Sequence, residues 1–159
     1  MRASTGILTI DLPTEAQWEF ACRAGTASTY SNGKGADCLD EIAWYTDNSD
    51  GRSHEVGRKD PNAFGLYDMH GNVFEMCRDW LSYGTTYSDG SAVTDPKGPD
   101  SRQETPTGRT LWRVMRGGGF GTSAGGCRSA YRNYKFNPYD YNSKKYFGYR
   151  LMCGADFSK

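Results

Sequence analysis

Hydrophobic positions in this chain are scattered more than periodic, and only short stretches carry a pattern that predicts an element. Thr14-Glu15-Ala16-Gln17 has the form of a capping box, with Thr14 as N-cap and Gln17 three residues on. Ala16, Phe20 and Ala24 then fall on one helical face and Gly25 follows as a C-cap, which predicts a helix over residues 15–24. From residue 25 to about 64 turn formers dominate, with short extended pieces such as 42–45. Residues 72–80 read as a short helix or as a turn followed by a strand. Residues 82–110, rich in Ser, Thr, Gly, Pro and Asp, predict a long surface loop. Residues 111–116 are extended and lead into a Gly117-Gly118-Gly119 turn, and 147–153 alternates enough to be a last strand. The expectation is α+β with much irregular backbone.

Composition narrows this picture. A length of 159 residues fits one domain able to bury a core. Nineteen basic side chains balance 19 acidic ones, so there is no general pull toward nucleic acid or an anionic membrane. Aromatics at 14% exclude a disordered composition. No apolar run reaches the roughly 18 residues that span a bilayer, and the opening MRASTGILTIDL has no signal-peptide core, so the chain reads as soluble. The five cysteines, Cys22, Cys38, Cys77, Cys127 and Cys153, have no zinc-type spacing. Buried reduced thiols are the simplest reading, and a Cys77–Cys127 bridge stays open. Trp18, Trp44, Trp80 and Trp112 read as core rings.

Three blocks interleave glycine, aromatic and charged residues too densely for a helix stripe or a regular strand: LPTEAQWEFACRAGT, PNAFGLYDMHGNVFEMCRDW, and RVMRGGGF with CRSAYR and FGYRLMC. Irregular backbone of this kind needs a bound ion or buried polar pairs to satisfy it. In order and spacing the blocks resemble the formylglycine-generating-enzyme (sulfatase-modifying-factor) family over residues 11–153. That resemblance implies a C-type-lectin-like fold with short twisted antiparallel strands and one or two helices. The expectation is a single domain over 1–159, without the strands and helix that in the family precede the LPTEAQWEFA block; GILTIDL would supply one strand of that part.

Asp68 and Glu75 lie seven residues apart around a tight His70-Gly71-Asn72 turn. Two carboxylates and freed carbonyls suit Ca²⁺, which takes 6–8 oxygen ligands. The block looks like a family calcium site formed by Asp68, Gly71, Val73 and Glu75. The alternative is that Asp68 caps the turn while Glu75 pairs with an arginine such as Arg150. Formylglycine generation, as the resemblance implies, uses copper on two cysteines five residues apart after the glycine turn. Here the first position is Thr122 and Cys127 stands at the second, and a soft Cu(I) ion needs both thiolates. No copper is expected, and no iron, because His54 and His70 read as hydrogen-bonded structural residues. Arg116, Arg128, Arg132 and Arg150 read as bridges between loop carbonyls and buried carboxylates.

Between CRSAYR and FGYR lies a segment dominated by Tyr, Asn, Ser and Asp, the residues that dominate adaptable binding loops. It resembles the variable region of diversity-generating-retroelement target proteins, which share this scaffold. The implied ligand-binding residues are Tyr131, Asn133, Tyr134, Tyr139, Asp140, Tyr141, Asn142 and Ser143. The resulting expectation is a non-catalytic module that recognises a protein or cell-surface ligand, with neither nucleic acid nor membrane insertion involved. The rival is an enzymatic or accessory sulfatase-modifying-factor member.

Overall fold

The computed structural model describes residues 8–82, 96, 98–104, 108, 112–133 and 145–155. Among these, the one α-helix, α1 (Glu15–Arg23), starts where the capping box places it. Thr14 Oγ1 accepts the Gln17 amide at 3.2 Å, and Gln17 Oε1 accepts the Thr14 amide at 2.8 Å. A third orphan donor, the Glu15 amide, is taken at 2.8 Å by Asp79 Oδ2 from a distant strand. The helix ends on Ala24 in the left-handed region (φ 45), one residue before the glycine that the sequence offered.

The buried face of α1 differs from the expected one. It is Glu15, Trp18 and Cys22, while Phe20 is exposed. The physical reason is pairing: Glu15 is held by Arg132 at 2.6 and 2.7 Å, and the Trp18 indole N–H donates to Glu75 at 2.7 Å. A charged residue with a bidentate partner is buried here, while the Phe20 ring packs at the surface against Phe64, 5.6 Å between centroids.

The strands are short and form three small sheets. β1 (Leu8–Asp11) pairs antiparallel with β7 (Met152–Ala155). β2 (Ala43–Trp44) runs parallel to β3 (His70–Gly71). The third sheet has the order β5 (Arg113–Arg116), β4 (Phe74–Trp80), β6 (Phe147–Gly148), antiparallel on one side and parallel on the other. The expected last strand over 147–153 is therefore two strands in different sheets. Arg150 turns between them toward Glu75. Residues 72–80 resolve as a turn followed by a strand.

Trp18, Cys22, Met69, Cys77, Leu81 and Val114 form one buried cluster; Tyr30, Leu39, Ile42, Ala43, Tyr45 and Cys127 form the other. His70 joins them. It is 1% exposed, its Nδ1 donates to the Cys127 carbonyl at 2.7 Å, and its Nε2 accepts the Ser31 amide at 3.1 Å. Tyr30 packs edge-on against the imidazole, and Cys22 Sγ lies 3.7 Å from it. The turn after His70 needs glycine: a Cβ at Gly71 (φ +76) would lie 2.2 Å from the Trp44 carbonyl oxygen.

Cys77 and Cys127 are free, buried thiols in different clusters, as the simplest reading had it, and the bridge left open does not form. Two further expectations are corrected. Cys153 is exposed and Cys38 half-buried, since each sits outside both cores. Among the tryptophans only Trp18 is buried; Trp44, Trp80 and Trp112 are half-buried and carry Lys59, Arg113 and Arg102 over their rings. No helix among the described residues is long and apolar enough to cross a membrane.

Candidate functional site

β4 begins at Phe74, one residue beyond the His70-Gly71-Asn72 turn, and Glu75 lines the same cavity as Asp68. Asp68 sits in the left-handed region (φ 57), which Asp and Asn tolerate better than other non-glycine residues. Its Oδ2 accepts the Gly57 amide at 2.7 Å. Glu75, 7% exposed, is clasped by Arg150, with Nε to Oε2 at 2.9 Å and Nη2 to Oε1 at 2.7 Å. Arg150 Nη2 also donates to the Tyr67 carbonyl at 2.8 Å. Burial works against the charge of Arg150, but the bonded Glu75 carboxylate and the nearby Asp68 outweigh it and raise the pKa above the usual arginine value.

Asp68, Asn72, Val73, Glu75 and Arg150 line one cavity of about 490 Å³, and Val56, Leu66, Tyr67 and Tyr149 give it apolar walls. Asn72 is buried and exchanges bonds with the His54 backbone, its Oδ1 accepting at 2.9 Å and its Nδ2 donating at 3.1 Å. The cavity brings together Asp68, Val73 and Glu75 of the expected metal set, while Gly71 is buried behind the turn and pairs with β2. As a donor set it suits a hard cation: two carboxylates share one opening, and one oxygen of Asp68 is uncommitted. Glu75 would have to share its oxygens with Arg150 and Trp18.

The aromatic walls were not singled out in the sequence. The available signal is local: Tyr67 precedes Asp68, and Tyr149 precedes Arg150, so each charged lining residue has a ring beside it.

The positions that the resemblance assigns to copper look different. Thr122 Oγ1 accepts the Gly119 amide at 3.1 Å, and its methyl packs so closely on Gly126 that an added Cβ there would lie 2.2 Å away. Cys127 is 0% exposed, and burial pushes its thiol up to about 12, partly offset by the Gly119 and Gly71 amides. A Cβ at Gly118 would come 2.6 Å from its sulfur. Cys22 is likewise raised to about 12 by burial.

Of the expected ligand-binding residues, Tyr134, Tyr139, Asp140, Tyr141, Asn142 and Ser143 lie outside the described residues. Tyr131 is half-buried at the start of that segment. Asn133 is corrected: it is 2% exposed, and its amide donates to the Met115 carbonyl at 3.0 Å, so it anchors the segment instead of offering a contact. The four arginines do bridge as expected. Arg116 reaches the Ser129 and Tyr131 carbonyls at 2.9 Å each, together with Glu19, and Arg128 reaches the Gly125 carbonyl at 2.7 Å.

Short strands, a single capped helix, glycine turns locked by buried thiol and imidazole groups, and buried arginine–glutamate pairs define a formylglycine-generating-enzyme-like, C-type-lectin-like scaffold. The chain belongs to the family of sulfatase-modifying factor enzyme 1-like domains, whose model matches residues 3–154. It is 33% identical over 140 residues to the serine/threonine-protein kinase pkn1 of Chlamydia pneumoniae, covering 87% of this chain and 20% of the relative. It is 35% identical over 127 residues to the formylglycine-generating enzyme of Streptomyces coelicolor, covering 69% of this chain and 35% of the relative. Among solved structures it is similar to Treponema denticola variable protein 1, with a TM-score of 0.73 and 36% identity, covering 91% of this chain and 47% of that one. PvdO from Pseudomonas aeruginosa has a TM-score of 0.60 at 28% identity, covering 89% of this chain and 51% of that one. The chain thus spans about half of these solved chains and a smaller share of the two curated relatives.

Proposed function

We propose that the chain is a non-catalytic ligand-binding module, a variable protein of the diversity-generating-retroelement kind that recognises a protein or cell-surface ligand. The observation that carries this reading is how the Tyr/Asn-rich segment is held at both ends. At its entry, fully buried Arg116 fixes the Ser129 and Tyr131 carbonyls and Asn133 bonds to β5. At its exit, the Tyr146 ring stacks on Phe120 at 4.8 Å and Phe147 pairs with β4. A segment clamped on one rigid frame at both ends tolerates sequence change between the clamps, which is what an adaptable surface requires. The likeness to Treponema denticola variable protein 1 supports the same reading. The copper positions support it as well, since a hydroxyl and a sealed thiol offer no pair of soft ligands.

Randomising Tyr134, Tyr139 and Tyr141 together should leave most variants folded, with melting temperatures within about 4 °C of the parent. Selection of that library against an unrelated target protein should yield binders. Widespread unfolding would overturn the reading. So would oxidation of a sulfatase-type cysteine peptide by the copper-loaded protein, which would instead support the enzymatic reading that the 35% identity to a formylglycine-generating enzyme favours. In the coding DNA, a near-identical template copy differing at adenines should lie beside a reverse-transcriptase gene.

Calcium belongs to the same proposal as a structural ion, held by Asp68 and Glu75 with carbonyls of Gly71 and Val73. Its part is to fix the turn, with no chemistry of its own. Saturating calcium should raise the melting temperature over that in EDTA, by the equivalent of about 2.7 kcal/mol at a hundredfold excess over Kd. Superimposable melting curves would remove the ion from the proposal.

A further inference from the structure

Charge is spread unevenly along this neutral chain. Residues 11–75 carry twelve acidic side chains against five basic ones, whereas residues 128–146 carry five basic against one acidic. The basic stretch is the Tyr/Asn-rich segment together with its clamped ends. Of its five cations Arg132 is spent on Glu15, in two bonds of 2.6 and 2.7 Å. Arg128 and Lys145 are both exposed, and neither forms an ion pair among the described residues. Arg128 Nε donates to the Gly125 carbonyl at 2.7 Å, and Lys145 Nζ lies 5.2 Å from the centre of the Tyr146 ring.

Both ends of the segment rest on one loop of small residues, 121–126. A Cβ at Gly126 would lie 3.9 Å from the Tyr131 ring, and one at Gly121 would lie 3.6 Å from the Tyr146 ring. Gly121, Ser123 and Gly125 are exposed and Thr122 and Ala124 half-buried, so no large side chain stands on this loop. Two half-buried tyrosines therefore border a low floor, and each has an unpaired cation close to it in the chain. Lys145 precedes Tyr146, and the Tyr131 amide donates to the Arg128 carbonyl at 3.0 Å.

We infer that the partner of this face is an acidic protein surface, with carboxylates that pair with Arg128 and Lys145 and a body that lies over the two tyrosines. The inference rests on the binding-module reading and names the chemistry of its ligand. Tyrosine supplies contact area at low entropy cost, and complementary charge steers association and rejects wrong partners. A long polyanion such as DNA suits the face less well. The 36–41 turn, which carries Asp37, Asp40 and Glu41, packs against 124–127, with Leu39 and Cys127 in one buried cluster. A strand of phosphates running off the two cations meets that acid, whereas a compact acidic patch stops short of it.

The library randomised at Tyr134, Tyr139 and Tyr141 tests this when it is selected in parallel against calmodulin in EDTA, which is acidic, and lysozyme, which is basic. Binders to calmodulin should outnumber binders to lysozyme at least about tenfold. Equal yields overturn the acidic partner and leave the binding-module reading standing; binders to neither target overturn both. The parent chain should also bind polyglutamate saturably in about 20 mM salt, and at least about tenfold more weakly in about 150 mM. Arg128→Glu combined with Lys145→Glu, at two exposed positions, should weaken polyglutamate at least about tenfold. Arg102→Glu, which reverses an exposed cation over the Trp112 ring, should change it less than about twofold. Absence of saturable binding up to about 1 mM polyglutamate overturns the inference, as does an equal loss in the Arg102→Glu variant. So does a DNA duplex of about 20 base pairs that binds more tightly than polyglutamate in the same buffer.

Discussion

Arg116 and Arg150 make the same kind of contact in opposite settings. Each grips a glutamate and at least one loop carbonyl, and each has one guanidinium nitrogen without a hydrogen bond among the described residues. Arg116 is 0% exposed, so its spare Nε is sealed away from any partner, and that cost is carried by bonds to Glu19, Ser129 and Tyr131 and by Glu15 at 3.5 Å. Arg150 keeps 28% of its side chain exposed and lines an open cavity. An unspent donor is a liability where water and ligands cannot reach it, and a capacity to bind where they can. Burial, more than residue type, separates the structural arginine from the one available to a ligand.

Removing the buried partner is the harshest way to break this contrast. Arg116→Ala strands Glu15 and Glu19 and frees two carbonyls at the entry of the Tyr/Asn-rich segment. It should cost about 3–5 kcal/mol in urea unfolding. A loss below about 1 kcal/mol would mean that the network is dispensable. Glu75→Ala in the open site should cost less, about 1–3 kcal/mol, because water can take over part of what Arg150 loses. Glu75→Gln should lose less again, since an amide oxygen still accepts the Trp18 indole N–H. If Glu75→Ala proves costlier than Arg116→Ala, the ranking by burial is wrong.

His70 sharpens the comparison by titration. Burial lowers its pKa, with the bond to the Cys127 carbonyl acting weakly the other way. The folded value thus lies below the unfolded one, about 6.5, and the unfolded chain binds the proton first as pH falls. Stability is present above about pH 6.5 and declines below it, with a slope of at most about 1.4 kcal/mol per pH unit for one proton. Urea midpoints between pH 7 and 5 should show that decline, and His70→Asn should flatten it. An identical slope in the variant would assign the titration elsewhere. The smallest expected effect is on the stability of Asp68→Asn, within about 0.5 kcal/mol, because asparagine tolerates the same left-handed backbone. A larger loss would give Asp68 a part in holding the turn together.

Legibility in the sequence followed the range of the interaction. The capping box at Thr14–Gln17 announced α1 to within a residue, because every group in it is local. The glycine turn after Arg116 was visible for the same reason. The buried face of α1 was misread, since its placement depends on Arg132 and Glu75, which lie 117 and 57 residues from their partners Glu15 and Trp18. The last strand was drawn too long, because alternation does not reveal that Arg150 turns aside to reach Glu75. At the site, Asp68 and Glu75 were found through the motif, and Glu75–Arg150 was one of two open readings. Val56, Tyr67 and Tyr149 were not found, since no periodicity links residue 56 to residue 149.

By itself the sequence determined the family, the start of the helix and the glycine turns, all carried by residues near one another along the chain. Only the tertiary structure decided which charges are sealed and which are open. It also buried Cys127 and Asn133, kept Cys77 and Cys127 apart, and closed three distant loops around one cavity. The physical reason is that burial belongs to surfaces that meet in space, and a charge or a ring acquires its role only when its distant neighbours decide whether water can reach it.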